Sequence, residues 1–445
     1  MLTDGSLKKR WRQLSLPLFV DIALVMMLGT VDTFMLGRYS DAAVAAVGVD
    51  NQLMSLIFLV YQFFSMGSAI LCSQYLGAGE NKRLVQVVGL SLMMNLMVGL
   101  AVSALIFFKA ESILHLMGLR ETLMSEGLVY LKITGLFSFA QAISLALSAS
   151  LRSAGKTNYP MIVTIVSNVL NIIGNYILIF GKFGMPAMGV KGAAISTALS
   201  RGIAMCLLLF FHTRFHIKKF PLKWFRPFPV DELKKLVKVG IPAMSEELSY
   251  CSTQLVGMYM INRLGDVQLA TRAYCWNILQ YCCLFSASFT QGGSILIGNL
   301  IDQAKERAAY IFGNHMLKVE LKVCVSVAAI MALCSRFVLA FFTSNPEILH
   351  LGVYVFCINV FLEIGRTRNI YACGALRATG DVIYPVVIGI TFQWLIAVGV
   401  ACLFGLVFGF GLLGIWFAWA LDENTRGVIL TRRWRSLRWM GRSFV

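Results

Sequence analysis

Charge is what this sequence has least of. Only 14% of its 445 residues are Asp, Glu, Lys or Arg, against 58% hydrophobic, and mean hydropathy is +0.73. A soluble chain of this length needs far more charge to cover its surface, so a soluble fold is excluded. Histidine is scarce: His115, His212, His216, His315 and His350 are scattered, which leaves an intramembrane enzyme no His or metal centre to work with. The eleven cysteines form no CxxC or Cys/His metal pattern, Cys282-Cys283 being the only close pair, and are expected as small packing residues. No GxxxxGK[ST] loop is present, and Gly77-Ala78-Gly79 is a turn only, so nothing here hydrolyses ATP. No cofactor is expected. The apolar stretch after Arg12 outruns a signal-peptide core and no small-residue cleavage site follows it.

What is present is a series of apolar runs long enough to cross about 30 Å of hydrocarbon. Twelve recur, near 14–37, 48–73, 85–108, 123–149, 159–181, 188–211, 237–261, 274–300, 310–336, 347–373, 383–407 and 411–431. The expected fold is an all-α polytopic membrane protein with twelve transmembrane helices. Assigning the 39 Lys and Arg to loops puts about 27 on one side and about 8 on the other. The basic side holds Lys8, Lys9, Arg10 and Arg12, a central connection with Lys218, Lys219, Lys223, Arg226, Lys234, Lys235 and Lys238, and a tail with Arg432, Arg433, Arg435, Arg438 and Arg442. Both termini are therefore expected in the cytoplasm. The net charge of +17 reads as a topology determinant facing anionic lipid, with no nucleic-acid partner.

The sequence is also written twice. At an offset of 225 residues, Pro17 meets Pro242, Arg38 and Asp41 meet Arg263 and Asp266, and Gly67-x-x-Ile70-Leu71 meets Gly292-x-x-Ile295-Leu296. Leu151-Arg152-x-x-Gly155-x-x-x-Tyr159-Pro160 meets Leu376-Arg377-x-x-Gly380-x-x-x-Tyr384-Pro385. One offset that preserves Pro, Gly and Arg preserves residues with geometric jobs. Six spans per half give parallel repeats, the plan of a transporter built from two pseudo-symmetric six-helix lobes. The expected division is an amino-terminal lobe over 1–211, a cytoplasmic linker over 212–236 and a carboxy-terminal lobe with a basic tail over 237–445.

Charges inside the spans cost about 2.5–3.5 kcal/mol each on insertion scales, so each needs a reason. Asp32 lies about 30 Å along the first span from Arg12 at 1.5 Å per residue. Asp21 and Glu246 stand four residues after the matched prolines, Glu247 follows, and Pro17 and Pro242 are the expected hinges. Glu363 and Arg366 share one helix face, as do Asp422, Glu423 and Arg426. These are either buried ion pairs that fix packing or carboxylates that bind H⁺ or Na⁺ and exchange partners during a cycle. Asn168, Asn171 and Asn175 form one stripe of the fifth span. They are either interhelical glue or, beside Asp32 and Thr197, an oxygen-rich cation pocket.

Four stretches together resemble the multidrug and toxic compound extrusion (MATE) family of cation-coupled antiporters, in a bacterial branch, across nearly the whole chain. They are Pro17 followed by Val31-Asp32-Thr33-x-Met35-x-Gly37; Ser73-Gln74-x-x-Gly77-Ala78-Gly79; the paired Leu-Arg-x-x-Gly turns; and Asn171 followed by Gly189-Val190-x-Gly192-Ala193-Ala194, echoed by Gly411-x-x-Gly414-Ile415-Trp416. The resemblance implies two lobes in a V with a cavity opening alternately to either side of a bacterial inner membrane. It implies a monomer that exchanges amphipathic, often cationic organic substrates for H⁺ or Na⁺. The family's amino-lobe cation site maps to Asp32, Asn171, Asn175 and Thr197, with Na⁺ possible at the first three. Many members carry an acid where this chain has Asn175. The carboxy-lobe network is expected at Glu246, Glu247, Glu363, Arg366, Asp422, Glu423 and Arg426. The alternative is a flippase for a lipid-linked saccharide or lipid, whose diphosphate Arg366, Arg368 and Arg426 would meet.

Overall fold

The computed structural model describes residues 4–117, 119–217 and 221–442, so Lys218 and Lys219 lie outside it. The described residues are helical with no strands, as the composition requires. In the first half run α1 (Asp4–Gly37), α2 (Asp41–Gly77), α3 (Asn81–Leu116), α4 (Glu121–Leu136), α5 (Ser138–Ser153), α6 (Asn158–Phe180) and α7 (Gly189–Phe215). In the second run α8 (Val230–Asn262), α9 (Asp266–Asp302), α10 (Glu306–Leu333), α11 (Ser335–Ala340), α12 (Pro346–Ala378), α13 (Ile383–Phe392) and α14 (Gly411–Arg435). Among the described residues, seven helices are long and apolar enough to cross a membrane, and the pair α4 and α5 counts as an eighth. The remaining spans, α8, α9, α10 and α14, have 33, 37, 28 and 25 residues, ample for about 20-residue spans.

The span expected at 123–149 is a bent one. Helices α4 and α5 meet at 45° around Phe137. There the Phe139 amide is 3.4 Å from Ser103 Oγ, and Ser138 Oγ lies 3.0 Å from both Tyr61 Oη and Ser103 Oγ. Side chains from α2 and α3 thus satisfy polar groups at the break, a recognised cause of a kink. The span expected at 383–407 continues from α13 into two π-helical segments, Gln393–Val400 and Leu403–Val407.

The matched Leu-Arg-x-x-Gly motifs are helix-ending turns. Gly155 and Gly380 have φ of 73° and 94°, a region that favours glycine. In each turn the residue after glycine bonds back to the leucine carbonyl, Lys156 to Leu151 at 2.9 Å and Asp381 to Leu376 at 3.0 Å. The motif arginines reach the acids that follow the matched prolines. Arg152 Nη2 donates to Asp21 Oδ2 and Arg377 Nη2 to Glu246 Oε2, each at 2.5 Å. Proline, acid, arginine and glycine are therefore one device, built twice.

The chain forms two compact units, Val20–Gly240 in one and Met1–Phe19 with Ile241–Val445 in the other. Helix α1 passes from one unit to the other just after Pro17, and α8 passes just before Pro242. The exchanged starts follow the repeat. In the unit containing α9, a Cβ on Gly292 would lie 2.5 Å from Ser15 Oγ; in the other, a Cβ on Gly67 would lie 2.9 Å from the Leu236 carbonyl and 3.5 Å from Gly240. Ser15 and Gly240 are themselves 225 apart, so a glycine of each second span admits a crossing helix. Tyr75 Oη donates to Glu232 Oε2 at 2.5 Å and Gln86 Nε2 to the Trp224 carbonyl at 2.6 Å, which fastens the segment before the crossing of α8.

Helices α12 and α14 approach closely at glycines. A Cβ on Gly365 would sit 2.3 Å from the Asn424 amide nitrogen, and one on Gly427 2.7 Å from the Gly365 carbonyl. Close backbone approach of this kind is the usual packing device between membrane helices. Gly365→Ala is expected to cost about 1–3 kcal/mol through forced separation of the pair. A thermal melt of detergent-solubilised protein reads this, and an unchanged midpoint would refute the contact.

Candidate functional site

In the unit formed by Val20–Gly240, Asp32 on α1 meets the amide stripe of α6. Asn175 Nδ2 donates to Asp32 Oδ1 at 2.7 Å and to Asn171 Oδ1 at 3.1 Å. Asn171 Nδ2 donates to Thr197 Oγ1 at 3.2 Å, and Ser196 Oγ donates to the Asn171 carbonyl at 2.9 Å. The four residues expected in the amino lobe are thus one ladder running Asp32–Asn175–Asn171–Thr197. Asn171 and Asn175 are each 1% exposed, so the ladder is closed to bulk water along α6. Small residues permit it: a Cβ on Gly174 would lie 2.4 Å from Ser196 Oγ, and one on Gly192 2.5 Å from the Leu178 carbonyl. Asn168 stands apart from the ladder and donates to the Leu24 carbonyl at 2.9 Å, fixing α1 to α6.

Three charged or phenolic groups extend this cluster that the sequence patterns had not singled out. Tyr130 of α4 is buried and lies in the field of Asp32, Asp50 and Arg201. Asp50 of α2 is fully buried, and neither carboxyl oxygen has a partner among the described residues. Arg201 follows Thr197 by one turn of α7 and lies 5.4 Å from the Phe58 ring centroid, with its Nη1 buried and unpartnered. Asp50 and Arg201 are lone charges in apolar runs with no oppositely charged residue three or four positions away, so their neighbours come only from packing.

In the unit containing Ile241–Val445, the acids and arginines fall into two places. Glu246 pairs with Arg377, and Glu247 stands in the field of that same pair. Of the other five, Arg366, Asp422, Glu423 and Arg426 line a cavity, and Glu363 joins them through Arg366. Arg366 Nη1 donates to Glu363 Oε1 and to Cys283 Sγ, both at 2.9 Å. Arg426 holds Asp422 through Nε at 3.0 Å and Nη2 at 2.5 Å, and its Nη2 is 3.1 Å from Glu423 Oε1. Asn369 Nδ2 donates to Glu423 Oε2 at 2.8 Å. Glu363 is fully buried, and Asp422 and Arg426 are 2% and 4% exposed. Three acids against two arginines leave one formal negative charge in a dry setting.

The cavity measures about 20 Å³ and is lined by Tyr250, Thr253, Gln254, Trp276, Leu362, Arg366, Gln393, Ala397, Trp419, Asp422, Glu423 and Arg426. A single water needs about 10–15 Å³ on this scale, so it admits a water-sized group and no organic molecule. Its wall includes the first π segment, where Gln393 Oε1 accepts from Ser249 Oγ at 2.7 Å and the Ala397 carbonyl from Trp419 Nε1 at 3.2 Å. A π segment frees carbonyls from the helix ladder and is common where a helix lines a site. No cluster of three or more His, Cys, Asp and Glu able to hold a metal ion occurs among the described residues.

Two more acids are placed by the structure alone. Glu320 of α10 is fully buried and its oxygens are 3.2 and 3.3 Å from Thr290 Oγ1. Asp381 receives Arg433 at 2.9 Å and Arg442 at 2.8 Å, so two basic residues of the tail also serve packing.

With the geometry in place, the relatives are informative. The sequence model of the MatE family matches residues 17–177 and 242–403, one match per half of the repeat. The chain belongs to the MATE family of membrane transporters. It is 38% identical to the uncharacterized transporter YisQ of Bacillus subtilis, over 96% of this chain and 94% of that protein. It is 29% identical to the probable multidrug resistance protein NorM of Thermotoga maritima, over 98% and 94%. Among solved structures, a variant of the Vibrio cholerae MATE transporter VcmN superposes with a TM-score of 0.87 at 16% identity, over 100% of both chains. A Pyrococcus furiosus transporter of the MOP superfamily, described as having a binding pocket of reverse polarity, gives 0.84 at 18% identity, over 96% of this chain and 95% of that one. This MATE transporter therefore has the family's all-α architecture of twelve spans in two six-helix lobes.

Proposed function

We propose that this MATE transporter is a secondary antiporter that exports amphipathic, often cationic organic compounds in exchange for H⁺ or Na⁺ by alternating access. It would work as a monomer in a bacterial inner membrane, with both termini cytoplasmic. The observation that carries the reading is the ladder ending on Asp32. A carboxylate in the first span, held by the Asn175 amide, which bonds Asn171 and through it Thr197 of α7, ties its charge state to the packing of α1, α6 and α7. Cation or proton arrival at Asp32 competes with the Asn175 bond and so biases two arrangements of α1. The multidrug resistance name of the Thermotoga relative supports the substrate class.

The four charged groups lining the carboxy-lobe cavity, with Glu363 behind Arg366, would form a second, coupled network. A space of about 20 Å³ suits a water or a small cation, so the organic substrate would bind elsewhere. Flipping of a lipid-linked saccharide is the weaker reading, because two of the arginines a diphosphate would need are committed. Arg366 is 2.9 Å from Glu363, and Arg426 is 2.5 Å from Asp422.

Purified protein in liposomes, given pH and Na⁺ gradients separately, should extrude a fluorescent lipophilic cation under at least one of them. Extrusion that depends on neither would overturn the antiport reading.

A further inference from the structure

We propose that Glu320 of α10 is a second proton-binding acid, which passes its proton to Glu363 across a buried bridge of one thiol and two hydroxyls between α9, α10 and α12. This rests on the antiport reading and adds a proton site in the carboxy-terminal unit.

The first support is the setting of the acid. Glu320 lies 14 residues, about 21 Å, along α10 from Glu306, near the middle of a 28-residue span. It is fully buried, and the Thr290 hydroxyl at 3.2 and 3.3 Å is its one hydrogen-bond partner among the described residues, with no cation paired to it. A carboxylate left so is costly, whereas the neutral acid suits the site, and lone acids in spans recur in proton relays. The scaffold does not require it. At the offset of 225 the first half carries Asn95 for Glu320 and Ser138 for Glu363, and both neutral residues are fully buried in their own helix bundle.

The second support is the bridge. Ser286 Oγ of α9 lies 3.1 Å from Cys324 Sγ of α10 and 3.2 Å from Thr367 Oγ1 of α12, and all three residues are fully buried. A buried glutamate stands one turn from each end, Glu320 before Cys324 on α10 and Glu363 before Thr367 on α12. A flexible glutamate side chain spans such a turn of about 5.4 Å. Cys324 lies in the field of both acids. Tyr371 of α12 also faces Glu320, and Arg435 of α14 and Tyr310 of α10 act on Tyr371. At the far end, Arg366, Glu423 and Cys283 face Glu363. An O–H bond breaks on Glu320 as one forms on Glu363, each bridge group giving one proton on and taking another. Glu363 then loses the charge that holds Arg366 at 2.9 Å, which loosens one pair beside the cavity.

The test has two readouts. One is the infrared difference between the parent and Glu320→Gln at neutral pH, where a protonated carboxyl gives its own carbonyl band. The other is extrusion of the lipophilic cation from liposomes under a pH gradient or a Na⁺ gradient alone. The difference spectrum should hold one carboxyl band that shifts in heavy water, and Glu320→Gln should slow pH-driven extrusion more than about tenfold. Ser286→Ala, which cuts the bridge and removes no charge, should slow extrusion too while the band stays. A spectrum without the band means an ionised Glu320 and overturns the proposal. A band together with extrusion by Glu320→Gln at the parent's rate overturns the exchange and leaves antiport standing, as does a parent driven by Na⁺ alone. A parent driven by neither gradient removes antiport and the exchange together. If Glu320→Gln does not fold, Thr290→Val removes the hydroxyl 3.2 Å from Glu320 and should move the parent's carboxyl band; an unmoved band would refute the site.

Discussion

Asp32→Asn should lower gradient-driven extrusion by more than about tenfold, toward the leak of protein-free liposomes, while the protein still folds. Asparagine keeps the size of the side chain and can still accept from Asn175 Nδ2, which lies 2.7 Å from Oδ1 of the aspartate. What it loses is the capacity to change charge. A ligand shifts a two-state protein only by its differential affinity for the two states, and an amide has none for a proton. The melting temperature should change little, because the ladder from Asn175 to Thr197 survives. Extrusion at the parent's rate would remove Asp32 from the coupling mechanism. The assay would then turn to Glu363→Gln and Asp422→Asn at the other site.

Arg426→Met should be the most destabilising substitution in the carboxy-terminal unit, costing about 3–5 kcal/mol. The side chain fits, but Asp422 and Glu423 lose the cation that holds them at 2.5 and 3.1 Å in a site 4% exposed at the arginine. Removing one partner of a buried cluster leaves uncompensated charge, whereas removing all of it leaves little to compensate. The triple variant Asp422→Asn, Glu423→Gln, Arg426→Met should therefore recover most of the loss. Thermal unfolding in detergent measures both, and equal midpoints for the parent and the single variant would contradict this account of the cluster.

Much of the architecture could be read from the chain because the repeat preserved residues with geometric duties. Pro17 and Pro242, Gly155 and Gly380, and Asp21 and Glu246 each recur at one offset, and the structure shows why: they belong to the same helix-and-turn device. The arginine of that turn recurs too, yet its bond to the acid 131 positions away came only from packing. The asparagine stripe on α6 was visible because one helix face suffices to see it. Asp50, Arg201 and Glu320 were not, because a lone charge inside an apolar run has no intrahelical partner to announce it. The break at Phe137 and the π segments after α13 were equally silent, since both depend on groups of other helices. The duplicated scaffold thus holds two unlike centres, an amide ladder around one carboxylate and a mixed cluster of five charges.

The central claim is that substrate and ion move in opposite directions through one cycle. Its most direct measurement reverses the usual drive: liposomes with no ion gradient receive a steep gradient of the lipophilic cation, and internal pH and Na⁺ are followed. The account predicts uphill movement of the coupling ion against the substrate, abolished by Asp32→Asn. Substrate flow through the folded parent with no ion movement at all would contradict it.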